Sequence, residues 1–140
     1  AVLMENLERN GVSSQVQVVN AAASDGPGDV NIYYGGDDQH RFIGSDGGSQ
    51  FTTVKGASLR GLMLLRGPDQ DEPFEWVKID CEGCEYRVLS SPHVDKLRYI
   101  TGEVHRGWDA LVRLLGSTHL VSGDELDFGH FTAELKADLA

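Results

Sequence analysis

The chain has 140 residues, enough for one domain with a usable core, and its 40% hydrophobic and 24% charged content exclude a disordered chain. Its formal net charge of −10 repels phosphate backbones, so nucleic acid is not an expected partner. No apolar run reaches the ~18 residues that a membrane helix needs, so no membrane partner is expected either.

Val2–Gly11 reads as the end of a helix, with Leu3 and Leu7 on one side and Asn10-Gly11 as its C-cap. Val16–Ala23 predicts a strand with partial alternation, followed by a turn over 24–29 and a second strand, Val30–Tyr34, that can pair with it as a hairpin. Residues 35–50 are rich in Gly and Asp and read as a long surface loop, a candidate lid. Phe51–Val54 predicts a short strand, Ala57–Leu65 a short helix and 66–73 a loop.

The next segment carries the chemistry. Trp76-Val77-Lys78-Ile79 predicts a buried strand that ends on Asp80-Cys81-Glu82-Gly83-Cys84-Glu85. Carboxylates at the carboxyl end of a strand are where open α/β sheets hold their ligands. Gly83 allows a sharp turn, and Glu85 falls in the first turn of a helix, Cys84–Ser90, that Pro92 stops. Leu97–His105 predicts another strand ending in polar residues, Glu103-Val104-His105. Trp108–Leu115 is an amphipathic helix with Leu111, Leu114 and Leu115 on one face. His119–Val121 and Phe128–Leu135 close the chain as a pair of strands. This order of elements is that of an α/β fold with an antiparallel edge.

Lys78-Ile79-Asp80-x-Glu82-Gly83-x-Glu85, followed by Glu103-Val104-His105, resembles the FkbM-like family of S-adenosylmethionine-dependent methyltransferases. Leu7-Glu8-Arg9-Asn10, the small residues Asn20–Asp25 and the Val54-to-Leu59 segment extend the likeness over most of the chain. The resemblance implies a Rossmann-like class I methyltransferase sheet, mostly parallel with an antiparallel edge pair. It also implies O-methylation of a hydroxyl on a small metabolite, of sugar or polyketide type, with S-adenosylmethionine as cofactor. Asp80, Glu103 and His105 are then the catalytic candidates, and Asp80, Glu82, Ala22 and Ser24 the cofactor-binding ones. Methyl transfer needs in-line positioning and a base for the hydroxyl proton, and imidazole, which titrates near neutrality, makes His105 the natural base. Against these roles stand plainer ones: Asp80 as a helix N-cap and His105 as a surface loop residue.

The family's glycine-rich cofactor turn does not occur here: no G-x-G-x-G or G-x-G-x-x-G is present. The expectation is a single methyltransferase-like domain over 1–140 that corresponds to the C-terminal two-thirds of the family fold, without the N-terminal βαβ unit. Strand edges left unpaired by that loss are open to direct pairing with each other, to a homo-oligomer or to additional chain. A non-catalytic remnant or interaction domain that binds no cofactor is the alternative. Cys81 and Cys84 do not form a secreted-type disulfide framework, so a reducing, cytoplasmic setting is the default. They fill variable positions of the motif and are expected to serve packing, although C-x-x-C at a strand end is also the layout of a thiol oxidoreductase. His40, His93, His105, His119 and His130 show no paired spacing, so no metal is expected.

Overall fold

The computed structural model describes residues 2–34, 41–43, 50–65, 73–81, 84–105, 107–126 and 128–139. Among the described residues, the α-helices are α1 (Val2–Arg9), α2 (Leu59–Leu64), α3 (Glu85–Leu89) and α4 (Trp108–Leu115). The strands described are β1 (Ala22–Ala23), β2 (Gly28–Tyr34), β3 (Arg41–Ile43), β4 (Gln50–Ala57), β5 (Phe74–Ile79), β6 (Leu97–Val104), β7 (His119–Gly123) and β8 (Gly129–Leu135). The fold is α/β with mixed sheets. One sheet has the order β1-β4-β2-β3 and the other β5-β6-β8-β7. Parallel pairing joins β1 to β4 and β5 to β6, and the remaining described pairs are antiparallel, so neither sheet is mostly parallel.

The second sheet carries the core because its strands alternate. Ile100, Gly102 and Val104 of β6 and Phe131, Ala133 and Leu135 of β8 turn inward, while Thr132 and Glu134 turn out. Onto the inward face pack Val88 and Leu89 of α3 and Leu111 and Leu115 of α4, all in one cluster with Ile79 and Cys84. His119 joins this interior because its Nε2 donates to the Leu97 carbonyl at 2.8 Å. Leu59 is buried in the same cluster, and Ala23 and Met63 pack against it, which ties the first sheet and α2 to the second.

Several expectations change here. The strand at Val16–Ala23 shrinks to Ala22–Ala23, and Val16, Val18 and Val19 are exposed. Alternation alone does not hold a strand that has no ladder partner. Val30–Tyr34 pairs with β4 and β3 instead of with 16–23. Phe51–Val54 lengthens to Gln50–Ala57, and residues 41–43 are a strand inside the stretch expected to be all loop. The remainder of the proposed lid, 35–40 and 44–49, lies outside the described residues. The described ladders join β1 to β4 and β5 to β6, so among them the strand edges of 16–23 and 76–80 are not paired with each other. The α1 terminus is as read: Gly11 has φ +67°, and the Gly11 and Val12 amides donate to the Glu8 and Leu7 carbonyls, a Schellman closure.

Gly102 controls how closely β5 and β6 approach. It lies opposite Ile79 in the parallel ladder, and a Cβ there would run into the Ile79 carbonyl and the Phe131 ring, 2.8 Å from Cε1. Gly102→Ala is therefore expected to destabilise the fold by about 1–3 kcal/mol, as overpacking does. Urea unfolding checks this, and an unchanged midpoint would mean that the ladder tolerates the methyl group.

Candidate functional site

β5 and β6 run parallel, so their carboxyl ends, Ile79-Asp80 and Val104-His105, emerge side by side. Asp80 is exposed at the end of β5, and Glu103 is half-buried on the outward face of β6. His105 follows β6 with its side chain largely buried. One ligand atom from each of Asp80, Glu103 and His105 lies within 4.8 Å of the others. The catalytic candidates read from the motif are thus brought together. The plainer reading of His105 as an outlying loop residue fails, because its ring is packed and bonded.

The bonding partner is Glu85, the side chain that sequence reasoning assigned only to a helix dipole. Its carboxylate is buried, 1% exposed, at the start of α3. Oε1 accepts from the Cys81 amide at 2.9 Å and lies 3.0 Å from His105 Nδ1. Among the described residues, Oε2 has no hydrogen-bond partner. With Glu85 ionised, its carboxylate only accepts, and the contact then takes the proton of Nδ1 on His105. That leaves Nε2 turned towards Glu103, whose Oε2 is 3.7 Å away. Glu103 Oε1 is in turn 3.3 Å from Nε2 of His130, because β6 and β8 register Glu103 opposite His130. The His130 amide donates to Asp124 at 2.8 Å. Glu85 and His130 thus extend the site, and only cross-strand register shows them. The one sequence signal for Glu85 was that it closes the motif's acidic run.

Cys81 and Cys84 are joined as a disulfide across the same turn, with Cα atoms 5.4 Å apart. This corrects the reading of two free packing thiols. The packing role itself stands, since Cys84 is 4% exposed within the core and Cys81 packs against it. Tyr86 adds a brace, donating from its hydroxyl to the Gly107 carbonyl at 3.0 Å and so tying α3 to the entry of α4.

The cofactor candidates are more dispersed. Glu82 lies outside the described residues. Ala22 and Ser24 belong to the edge of the first sheet, and Ser24 is buried with its hydroxyl donating to the Gly26 carbonyl at 2.6 Å. Between that edge and β5 runs an apolar groove of about 440 Å³, lined by Ala23, Leu59, Leu62, Val77 and Ile79 among others. No family model, curated protein or solved structure matches this chain.

The Glu85–His105 contact has a measurable strength. Removing one member of a buried pair is costly, whereas removing both is less so. A double-mutant cycle of Glu85→Gln and His105→Ala, read by chemical denaturation, should give a coupling of about 1–3 kcal/mol. A coupling near zero would mean that the pair does not form.

Proposed function

We propose that this chain is an S-adenosylmethionine-dependent methyltransferase of the FkbM-like type, acting on a hydroxyl of a small metabolite. The observation that carries the reading is the convergence of Asp80, Glu103 and His105 at the carboxyl ends of two adjacent parallel strands. The motif resemblance names those same residues, and a Rossmann-like sheet with an antiparallel edge accords with the order β5-β6-β8-β7.

The fit to the cofactor rests on two features. The apolar groove beside β5 offers a bed for a nucleoside, and the exposed Asp80 carboxylate, which follows Ile79 of that strand, suits a cationic group. When bound, S-adenosylmethionine supplies an electrophilic methyl group. The chain's own residues then have distinct tasks. Asp80 holds the charged end of the ligand, and Ala23, between the candidates Ala22 and Ser24, lines the groove. His105 takes the hydroxyl proton at Nε2, since Nδ1 already carries one. Glu85 fixes the imidazole in that tautomer and stabilises its charged form. Glu103, set by His130, orients the hydroxyl. A cytoplasmic setting belongs to this reading. The chain itself has no described helix long and apolar enough to cross a membrane.

Calorimetry with S-adenosylhomocysteine tests the proposal. Binding should be detectable and should weaken in Asp80→Asn. Turnover on an accepted hydroxyl substrate should fall by about 10²–10⁴ in His105→Gln with binding retained. The absence of binding at millimolar ligand would reject it in favour of a fold that keeps the architecture and binds no cofactor.

A second reading is favoured by the disulfide. The Cys81–Cys84 bond opens α3 directly beside the buried Glu85, and Cys81 is the more exposed sulfur. In a thiol oxidoreductase a substrate dithiol would give two electrons to this bond. The substrate would leave as a disulfide, and Cys81 and Cys84 would become two thiols. Insulin-disulfide reduction with dithiothreitol as electron source checks it. Activity that disappears when both cysteines become Ser supports this reading, and an inactive unmodified protein ends it.

A further inference from the structure

The outward face of the second sheet is ordered in rows. Strand register sets Trp76 of β5, Tyr99 of β6, Glu134 of β8 and Leu120 of β7 side by side across all four strands. Two residues further along each strand, about 6.6 Å away, the next row on this face is Lys78, Thr101, Thr132 and Ser122. The first row is aromatic and apolar apart from Glu134, and the second carries hydroxyls apart from Lys78. A shallow hollow of about 230 Å³ spans the two rows. Its large side chains stand in solvent, Trp76 being 68% exposed and Leu120 63%. Contiguous apolar surface left open in this way marks binding sites.

The polar groups of the hollow are already positioned. The Tyr99 hydroxyl donates to Glu134 Oε1 at 3.2 Å, which holds ring and carboxylate together across the ladder. Ser122 and Thr132 share a hydrogen bond of 2.8 Å between their hydroxyls. A carboxylate accepts up to about four hydrogen bonds and a hydroxyl both donates and accepts, so each group keeps capacity for a ligand. The Trp76 and Tyr99 rings are 6.3 Å apart and tilted by 43°, so neither lies flat on the other. Trp76 therefore offers an indole face to solvent on a rigid strand, an arrangement that costs a ligand little ordering entropy.

We propose that this face binds a neutral saccharide, with one pyranose ring lying on Trp76 and its hydroxyls reaching Glu134 and the Thr101–Thr132–Ser122 row. The face of an aromatic ring is the negative part of its quadrupole. A pyranose with equatorial hydroxyls presents weakly positive axial C–H groups on its ring faces and hydroxyls at its rim. It thus matches an aromatic row bordered by a hydroxyl row. A wholly apolar ligand would cover Glu134 and the hydroxyls without pairing them, which is costly. Phosphorylated ligands and a second copy of this chain are both opposed by the net charge of −10. Charged residues such as Lys78 and Glu134 are also uncommon at the centre of a protein interface. An organic cation is the strongest competitor, because two rings beside a carboxylate attract one. It gains nothing from the hydroxyl row, however, and Lys78 opposes it. The proposal goes beyond the methyltransferase reading and stands without it, since it uses neither the strand-end residues nor a nucleoside.

The test is titration of the protein with methyl β-glucoside and with cellobiose, followed by heteronuclear amide and indole NMR. Saturable shifts are expected at the Trp76 indole N–H and at the amides of Thr101, Ser122 and Thr132. Trp76→Ala should weaken binding at least ~10-fold, and Trp76→Phe, which keeps a ring, by less. Both variants are expected to fold, because the side chain is exposed. Glu134→Gln should weaken binding by about 3–10-fold, as the loss of a charge-assisted hydrogen bond does. Arg113→Gln, exposed on α4 against the opposite face of the sheet, should change nothing. The absence of shifts at tens of millimolar sugar, or binding unaffected by Trp76→Ala, overturns the proposal. So does tetramethylammonium chloride binding the same residues at least as tightly, which would make the hollow a cation site. Shifts of these residues on dilution alone would assign the face to a second copy and also overturn it. S-adenosylhomocysteine is titrated separately: saccharide binding without nucleoside binding keeps this site and rejects the methyltransferase reading, and the reverse result does the opposite.

Discussion

A carboxylate buried at the start of a short helix must be paired, and the way Glu85 is paired organises the second half of this molecule. Its Oε1 atom draws in the Cys81 amide from the preceding turn and the His105 ring from the end of the neighbouring strand. An unpaired charge in such a place is costly enough to shift its own protonation or unfold its surroundings. The turn 80–85 and the terminus of β6 are therefore fixed relative to each other. The Cys81–Cys84 bond closes the same turn, and Gly102 lets the two strands approach without a side chain between them. At the strand ends, Asp80 and Glu103 flank the ring of His105, whose Nδ1 contacts the buried Glu85.

The two sheets relate to each other by packing and not by hydrogen bonds. Among the described pairings none crosses from β1 to β5, and the link is made by Ala23, Leu59 and Met63 against the core. The apolar groove between them lies along β5, whose described pairing is on the β6 side alone. The outward face of the second sheet also keeps large side chains exposed, with Trp76 and Tyr99 in ring contact 6.3 Å apart and Leu120 nearby. Parallel strands are ordinarily covered on both faces.

Elements with a strong internal period were legible in the chain. The α4 helix was bounded correctly because Leu111, Leu114 and Leu115 fall on one face and Gly116 follows them. The strands at 97–105 and 128–135 were read as strands, and β6 and β8 occupy those stretches. Val16–Ala23 was misread for a physical reason. Its alternation is real, but a strand exists only where a ladder partner satisfies its backbone, and among the described residues only Ala22 and Ala23 have one. Glu85 was legible as an acid in a first helical turn but not as a buried group, since burial depends on what packs over it.

The amino-acid sequence by itself therefore determined the α/β class of the fold and most of its elements in order. Those properties are written in local periodicity and in turn chemistry, which act over a few residues. Only the tertiary structure decided the division into two mixed sheets, the bonding of Cys81 to Cys84, and the line from Glu85 through His105 and Glu103 to His130. Each of these depends on register between segments that are distant in the chain or on the precise curvature of one turn. A one-residue change in register moves a side chain to the opposite face of a sheet, so no local pattern can specify which acid meets which imidazole.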